Sequence, residues 1–352
     1  MKKIALVLLT LLIILTTSSC YDSTEVDDMI YVLAIGVDFA ENGYYEYTFQ
    51  SAVPLNISSG VETGFASSEE SVTLQNIKVS APNLYSAIDT TNQKVTKEIN
   101  ISHCKLIVFS KKLAQSNLEN QLKAVVQNTN LRPLVYVAIA DGLAQDYLNN
   151  ISSPFELSPA RYYESFFNKD YSPQSFVAQL YDFEKNKIVA VPLIEEDNKI
   201  TTSIIKEYTQ IGTLDNDETV ALNILTGRFK SGYLTVDKSL PAIRLNHDKM
   251  PNITVDTGSK HPIIHFDLSF YGTPTSIINN KEEYDEVVKM YIENLCKNLL
   301  IKSSKEFKAD ITNIEKFVKI KFLTQKDFEK FNWDDKYQNA EFDVNVKYRT
   351  IR

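Results

Sequence analysis

Two spacings of apolar residues alternate along this chain. At 341–350, Phe342, Val344, Val346, Tyr348 and Thr350 alternate with Glu341, Asp343, Asn345, Lys347 and Arg349. A period of two puts one set against a core and the other in water, which predicts a half-exposed strand. Ile264, Phe266, Leu268 and Phe270 alternate in the same way with His265, Asp267 and Ser269. At 281–307 the period changes: Tyr284, Val287, Val288, Tyr291, Ile292, Leu295 and Leu299 fall on one side of a long helix. Two runs, CKLIVF at 104–109 and LVYVAIA at 134–140, are apolar almost throughout, as central strands covered on both faces are. Leu118, Leu122, Val125 and Val126 between them mark an amphipathic helix, so this stretch predicts a strand–helix–strand crossover.

The remaining pattern fills in around these elements. Segments 31–38 and 44–53 predict two strands joined by a hairpin at Asn42-Gly43, with Tyr45, Tyr47, Phe49, Ser51 and Val53 on one face. Residues 54–71 read as a small-residue loop, 72–79 as a strand, and a helix follows Pro82 with Leu84, Ala87, Ile88 and Thr91 on its inner side. Asp141-Gly142 turns the chain into a helix through Leu143 and Leu148. Pro154, Pro159, Pro173 and Pro192 break up 151–200, where SPARYYESFF predicts a short helix. Tyr162, Tyr163 and Phe166 in it read first as core residues and second as docking aromatics. Residues 203–214 predict a strand. Asp215 and Glu218 have the spacing of a capping box, and the helix they open runs through Val220, Leu222 and Leu225 to a glycine stop at Gly227. Strands and helices interleave without a uniform repeat. The expected fold is therefore α+β, in two to three consecutive domains, each a mixed sheet with packed helices. A first α/β region spans 30–200, with up to two subdomains, and a C-terminal α+β domain spans 204–352.

The first residues carry a different message. Lys2 and Lys3 precede an apolar run at 4–15, interrupted by Thr10, and Thr16, Thr17, Ser18 and Ser19 lead up to Cys20. The run is too short to span about 30 Å of hydrocarbon and has the layout of an export signal. Small residues directly before a cysteine suit a lipoprotein signal. Residues 1–19 are then removed, the Cys20 thiol is diacylated, and acidic residues 20–29 form a lipidated tether. Thr17 stands where such signals usually carry Leu; the other reading is an ordinary signal peptide with a chance cysteine.

Composition narrows the partners. Removing 19 of 352 residues leaves 333, and loss of Lys2 and Lys3 moves the net charge from −8 to −10. A hydrophobic fraction of 43%, with 19 Tyr, 18 Phe and one Trp, can fill sizeable cores. An acidic chain without clustered Lys and Arg is not expected to bind nucleic acid. It also has no polybasic run, so attachment rests on the acyl chains, and two chains are what stable anchoring needs.

No catalytic or metal motif emerges. HExxH, GxSxG, CxxC and a phosphate loop are all missing from the sequence. Cys104 and Cys296 lie on apolar patterns and read as buried free thiols, with a disulfide between them the other option. His103 adjoins Cys104, but neighbours on an extended chain point to opposite faces. His261 and His265 are placed about 13 Å apart by strand rise, too far to share an ion. The acidic stretches at 195–198 and 215–218 lack a calcium-loop pattern. No cofactor and no metal is expected, and the weight shifts to binding or assembly.

The sequence also resembles a known family. CYDSTEVDDMIYVLAIGVD at 20–38 is similar to the start of the Ger(x)C family, the lipoprotein C subunits of spore nutrient-germinant receptors, through Cys20, Asp22, Gly36, Val37 and Asp38. HCKLIVFSKKLA at 103–114 resembles the next block. NTNLRPLVYVAIADGLAQDYL at 128–148 follows, with Arg132, Pro133 and Ala144 in matching positions. IGTLDNDETVALNILTGR and a closing block with Trp333 and Phe342 complete the resemblance. Tyr21 departs from the family's usual Trp, and the stretch after Ala309-Asp310-Ile311 lacks a glycine common there. The resemblance implies a non-enzymatic subunit of mixed α/β domains, lipid-anchored to the outer face of the spore's inner membrane. It implies membrane-embedded A and B subunits as partners. It supplies no germinant-binding motif. The rivals are a solute-binding lipoprotein, which requires two doubly wound lobes, and an anchored hydrolase, which requires a convergent catalytic set.

Overall fold

In the computed structural model, the structure describes residues 28–40, 43–53, 73–132, 134–150, 175–180, 188–195 and 199–351, together with Lys3, Tyr162, Ser165 and Phe167. The rest of the signal segment, Cys20, the tether up to residue 27, Asn42, the loop 54–71, Pro133, Tyr163, Phe166 and residues 196–198 lie outside the described residues.

A large mixed sheet comes first. Its strands are β1 (Met29–Phe39), β2 (Tyr45–Val53), β3 (Thr73–Ala81), β4 (Glu98–Asn100), β5 (Leu106–Ser110), β6 (Tyr136–Ala140), β7 (Ile188–Ile194), β8 (Ile200–Lys206) and β9 (Thr209–Leu214). They lie in the order β3-β2-β1-β5-β6-β7-β8-β9, with β4 beside the start of β1. The centre is parallel and both flanks are antiparallel. The expected β1–β2 hairpin is present, closed by Ala40 N–H donating to Tyr44 O and by Gly43 at φ +78°. Helices α1 (Leu84–Asn92), α2 (Lys111–Ser116), α3 (Glu119–Val126), α4 (Ala144–Asn150) and α5 (Val177–Leu180) connect or cover these strands.

The run at 104–109 is apolar on both sides because both faces of β5 are covered. Ile107 and Phe109 join one core with Leu118, Leu122 and Val125, whereas Leu106 and Val108 join another with Ala144, Leu148 and Phe167. The crossover from β5 through α3 to parallel β6 is as expected. Val126, predicted to lie on the buried stripe, is instead 42% exposed, because α3 ends at that residue. Leu143, predicted within a helix, precedes α4 and is exposed. Phe167, next to that aromatic stretch, is fully buried, and Tyr162 is half-buried against the same core.

The second half holds α6 (Asn216–Leu225), β10 (Ser231–Leu234), β11 (Ile243–Asp256), β12 (Ile263–Pro274) and α7 (Lys281–Lys302). It continues through a π-helical turn (Ser303–Phe307), α8 (Glu315–Lys319), α9 (Gln325–Phe331), α10 (Trp333–Tyr337) and β13 (Glu341–Thr350). Its sheet runs β10-β11-β12-β13, with only β12 and β13 parallel. The apolar sides of β12 and β13 pack against α7, whose buried residues include Tyr284, Val288, Ile292, Cys296 and Leu299.

Segment 203–214, predicted as one strand, is a hairpin. Glu207 and Tyr208 both adopt positive φ, +49° and +67°, and fold β9 back on β8. Both strands continue the first sheet, which therefore extends past residue 204 to Leu214. Ile204 and Leu214, however, point into the second core. The hairpin thus continues the first sheet by hydrogen bonds while its side chains divide, Ile204 and Leu214 joining the second core and Ile205 the first. The second sheet is not doubly wound, so the two-lobed architecture of a solute-binding lipoprotein is not the one found among the described residues.

Candidate functional site

The titratable pairs singled out in the sequence do not assemble into a catalytic site. His103 is exposed and stacks edge-on against Tyr31, while Cys104 is buried and donates to Leu106 O. Burial pushes the Cys104 thiol up to about 12, far from the thiolate a nucleophile needs. Cys296 is likewise buried and free, its thiol raised by the same cause. The two sulfurs sit in different cores. His261 lies before β12, whereas His265 is on it and bonds Asp343 of β13 at 2.9 Å. Glu195 accepts from Thr201 Oγ1 and pairs with Lys199. Among the described residues, no three His, Cys, Asp or Glu side chains could hold a metal ion together. A surface cleft of about 290 Å³ lies between α1 and the turn at 127–130. Its wall contains one carboxylate, Asp89, already accepting from Gln93.

What the structure does bring together are the motif residues, at three junctions. The first joins β1 to α4. Asp38 is 2% exposed, and its two carboxylate oxygens accept the Ala144 and Gln145 N–H groups at 2.7 and 3.0 Å. These are donors that the first turn of a helix leaves unpaired. Burial raises the carboxyl above its ordinary value, while the two N–H bonds pull the other way. Gln50 on β2 donates to Leu148 O, so both ends of α4 are held from the sheet. At Gly36 any Cβ would approach Leu148 Cδ1 to 3.0 Å, so glycine lets α4 lie close to the strand.

The second junction ties the β8–β9 hairpin to the C-terminal core. Asp215 and Glu218 form the reciprocal capping box predicted for α6. Glu218 also binds Lys302 Nζ at the end of α7 at 2.6 Å, and Lys302 reaches Thr213 O. A Cβ on Gly212 would overlap the Phe307 ring, which packs across β9. Gly227 takes φ +73°, the left-handed end predicted for α6.

The third is a knot around Asp310. Its Oδ1 accepts from Thr312 N and Oγ1, and its Oδ2 accepts from Glu315 N at 2.8 Å and Trp333 Nε1 at 3.2 Å. Burial raises its pKa against the pull of these bonds. Trp333 packs at a tilt against Tyr337, Tyr337 packs edge-on against Phe342, and the Tyr337 hydroxyl meets Ser303 Oγ at 2.7 Å. Asn313 supplies the positive φ, +57°, that this glycine-free turn requires, and asparagine tolerates that conformation. The pairing of Asp38 with Ala144, 106 positions away, had no signal in the sequence reading.

Cys20 lies outside the described residues, and among those described no helix is long and apolar enough to cross a membrane. Residues 22–195 match the family model of the spore germination protein N-terminal domain, and residues 200–352 match that of the spore germination B3/GerAC-like C-terminal domain. Spore germination protein KC of Bacillus subtilis (strain 168) is 25% identical over 160 residues, covering 45% of this chain and 39% of that protein. The crystal structure of the GerBC protein shares the fold, with a TM-score of 0.57 at 18% identity, over 90% of this chain and 97% of that one. Two family models that together span almost everything after residue 21 settle the kinship: the chain belongs to the Ger(x)C family of spore germination proteins.

Proposed function

We propose that this chain is the lipid-anchored, non-enzymatic C subunit of a spore nutrient-germinant receptor. Residues 1–19 are removed, Cys20 carries the acyl chains, and residues 20–29 tether the first sheet to the outer face of the spore's inner membrane. The folded part serves assembly or signalling with the receptor's membrane-embedded A and B subunits. The observation that carries this reading is the use made of the motif residues. Gly36, Asp38 and Ala144 hold α4 against the first sheet, Gly212 lets Phe307 pack across β9, and Asp310 with Trp333 ties together the turns that lead to β13, so these motif residues serve the architecture. Support for an architectural role also comes from the burial of both thiols, which raises them away from the reactive thiolate, and from the lone carboxylate of the surface cleft.

Affinity purification of the tagged chain from spore inner membranes tests the proposal. The A and B subunits are expected to co-purify, and the N-terminal peptide is expected to begin at a diacylglyceryl Cys20. Recovery in the soluble fraction with an unmodified Cys20, and without those subunits, rejects it.

A further inference from the structure

The turn between α8 and α9 presents two exposed branched side chains close together. Ile320 is 80% exposed and Leu323 fully exposed, three residues apart, whereas the neighbouring Val318 and Phe328 are buried. Two branched side chains held out in water by a packed base are unusual in a folded chain, because burying each would be favourable. The base is rigid: Phe322 packs between Phe328 and Phe331, and Lys321 donates to Val255 O on β11. Around the knob, 316–326 contains Lys316, Lys319, Lys321 and Lys326 and no acidic residue, in a chain of net charge −8. Lys319 pairs with Glu315, while Lys316, Lys321 and Lys326 are exposed. The lysines are spaced through the turn, so no polybasic run appears in the sequence.

We propose that Ile320 and Leu323 insert into the headgroup region of an anionic bilayer, with Lys316 and Lys326 resting on its phosphates. An interfacial contact takes this form, with apolar tips for the acyl boundary and cations for the headgroups. Ile277 is as exposed as these two but has no such collar, because 274–280 contains no lysine or arginine. The inference extends the anchored-subunit reading: the anchor holds the chain at the membrane and this turn orients it there. It does not require Cys20 to be the attachment point.

The test separates the two. A chain of residues 21–352 retains every buried core residue, the first being Val32. It is attached through an N-terminal histidine tag to nickel-chelating lipid in vesicles, so native lipidation plays no part. Leu323→Cys and, as a control, Ile277→Cys carry an environment-sensitive fluorophore, the buried Cys104 and Cys296 being shielded from labelling. On vesicles of phosphatidylglycerol and phosphatidylcholine, the probe at 323 is expected to shift to the blue and the probe at 277 to stay as in buffer. The shift should fade on phosphatidylcholine alone and in high salt. Without nickel lipid, vesicle partitioning is expected to fall roughly tenfold for each of Ile320→Ser and Leu323→Ser. Equal responses at 277 and 323, or none at 323 on anionic vesicles, overturn the proposal. So does vesicle partitioning that the serine variants leave unchanged, which would point to a protein partner for the knob.

Discussion

The two halves of this molecule bury an aspartate each, and they do so for different ends. Asp38 caps α4 from a strand 106 residues earlier, so it records a long-range junction. Asp310 gathers Thr312, Glu315 and Trp333 from a stretch of 24 residues, so it records a local knot that shapes the approach to β13. Both carboxyls are raised by desolvation, and in both each oxygen accepts at least one hydrogen bond. A buried carboxylate is tolerable only when hydrogen bonds replace its water, and these two sites show that requirement met at long and short range. The comparison teaches that the motif residues of this chain mark the places where neighbouring elements are fixed to one another, a helix to a sheet at Asp38 and consecutive turns at Asp310.

The sharpest way to break the comparison is at the local knot. Trp333→Ala removes a large buried ring and leaves Asp310 one donor short; a loss of about 3–5 kcal/mol is expected in chemical denaturation. At the long-range junction, Asp38→Ala leaves two buried N–H groups unpaired, and about 1–3 kcal/mol should be lost. Hydrogen exchange in α4 should rise before that in α7, and uniform loss across both halves would contradict the separation of roles. Gly212→Ala forces the Phe307 ring aside and is expected to cost about 1–3 kcal/mol, with a shift of the Phe307 ring resonances.

A subtler prediction concerns pH. Burial raises Asp310 above its ordinary 3.8, so the folded state holds this proton more tightly than the unfolded chain. The stability it contributes is therefore complete below pH 3.8 and is lost as pH rises through the raised value. The stability of the wild type minus that of Asp310→Asn should accordingly shrink as pH climbs from 3.8; parallel stability curves would remove the argument. Smallest of all, Lys302→Met leaves its stem in place and breaks the Glu218 bridge, for which about 1 kcal/mol or less is expected.

Much of this fold was legible in the sequence, because its strongest elements keep one period throughout. β12 and β13 alternate strictly, and β5 and β6 are apolar on both sides for the reason that both sides are covered. The capping box of α6 and the glycine stop after it could be read directly. β11 could not, because bulges between His247 and Asn252, with Pro251 inside, break the period of two. The β8–β9 turn was hidden because Glu207 and Tyr208 adopt positive φ without the glycine or asparagine that usually signals it. Helices α8 to α10 are short and held by the Asp310 knot, so their residues carry no sustained stripe. The exposed pair Ile320 and Leu323 looks in sequence like any other apolar spacing, so this surface feature was not legible.

The anchored-receptor account is tested most directly by nutrient-triggered dipicolinic acid release from spores lacking this chain, rescued with the wild type or with Cys20→Ala. Failure to release without the chain, full rescue by the wild type and poor rescue by the alanine form are the results predicted. Normal release from the deletion spores toward every nutrient tried would contradict the receptor role. Full rescue by Cys20→Ala at native abundance would contradict the anchor.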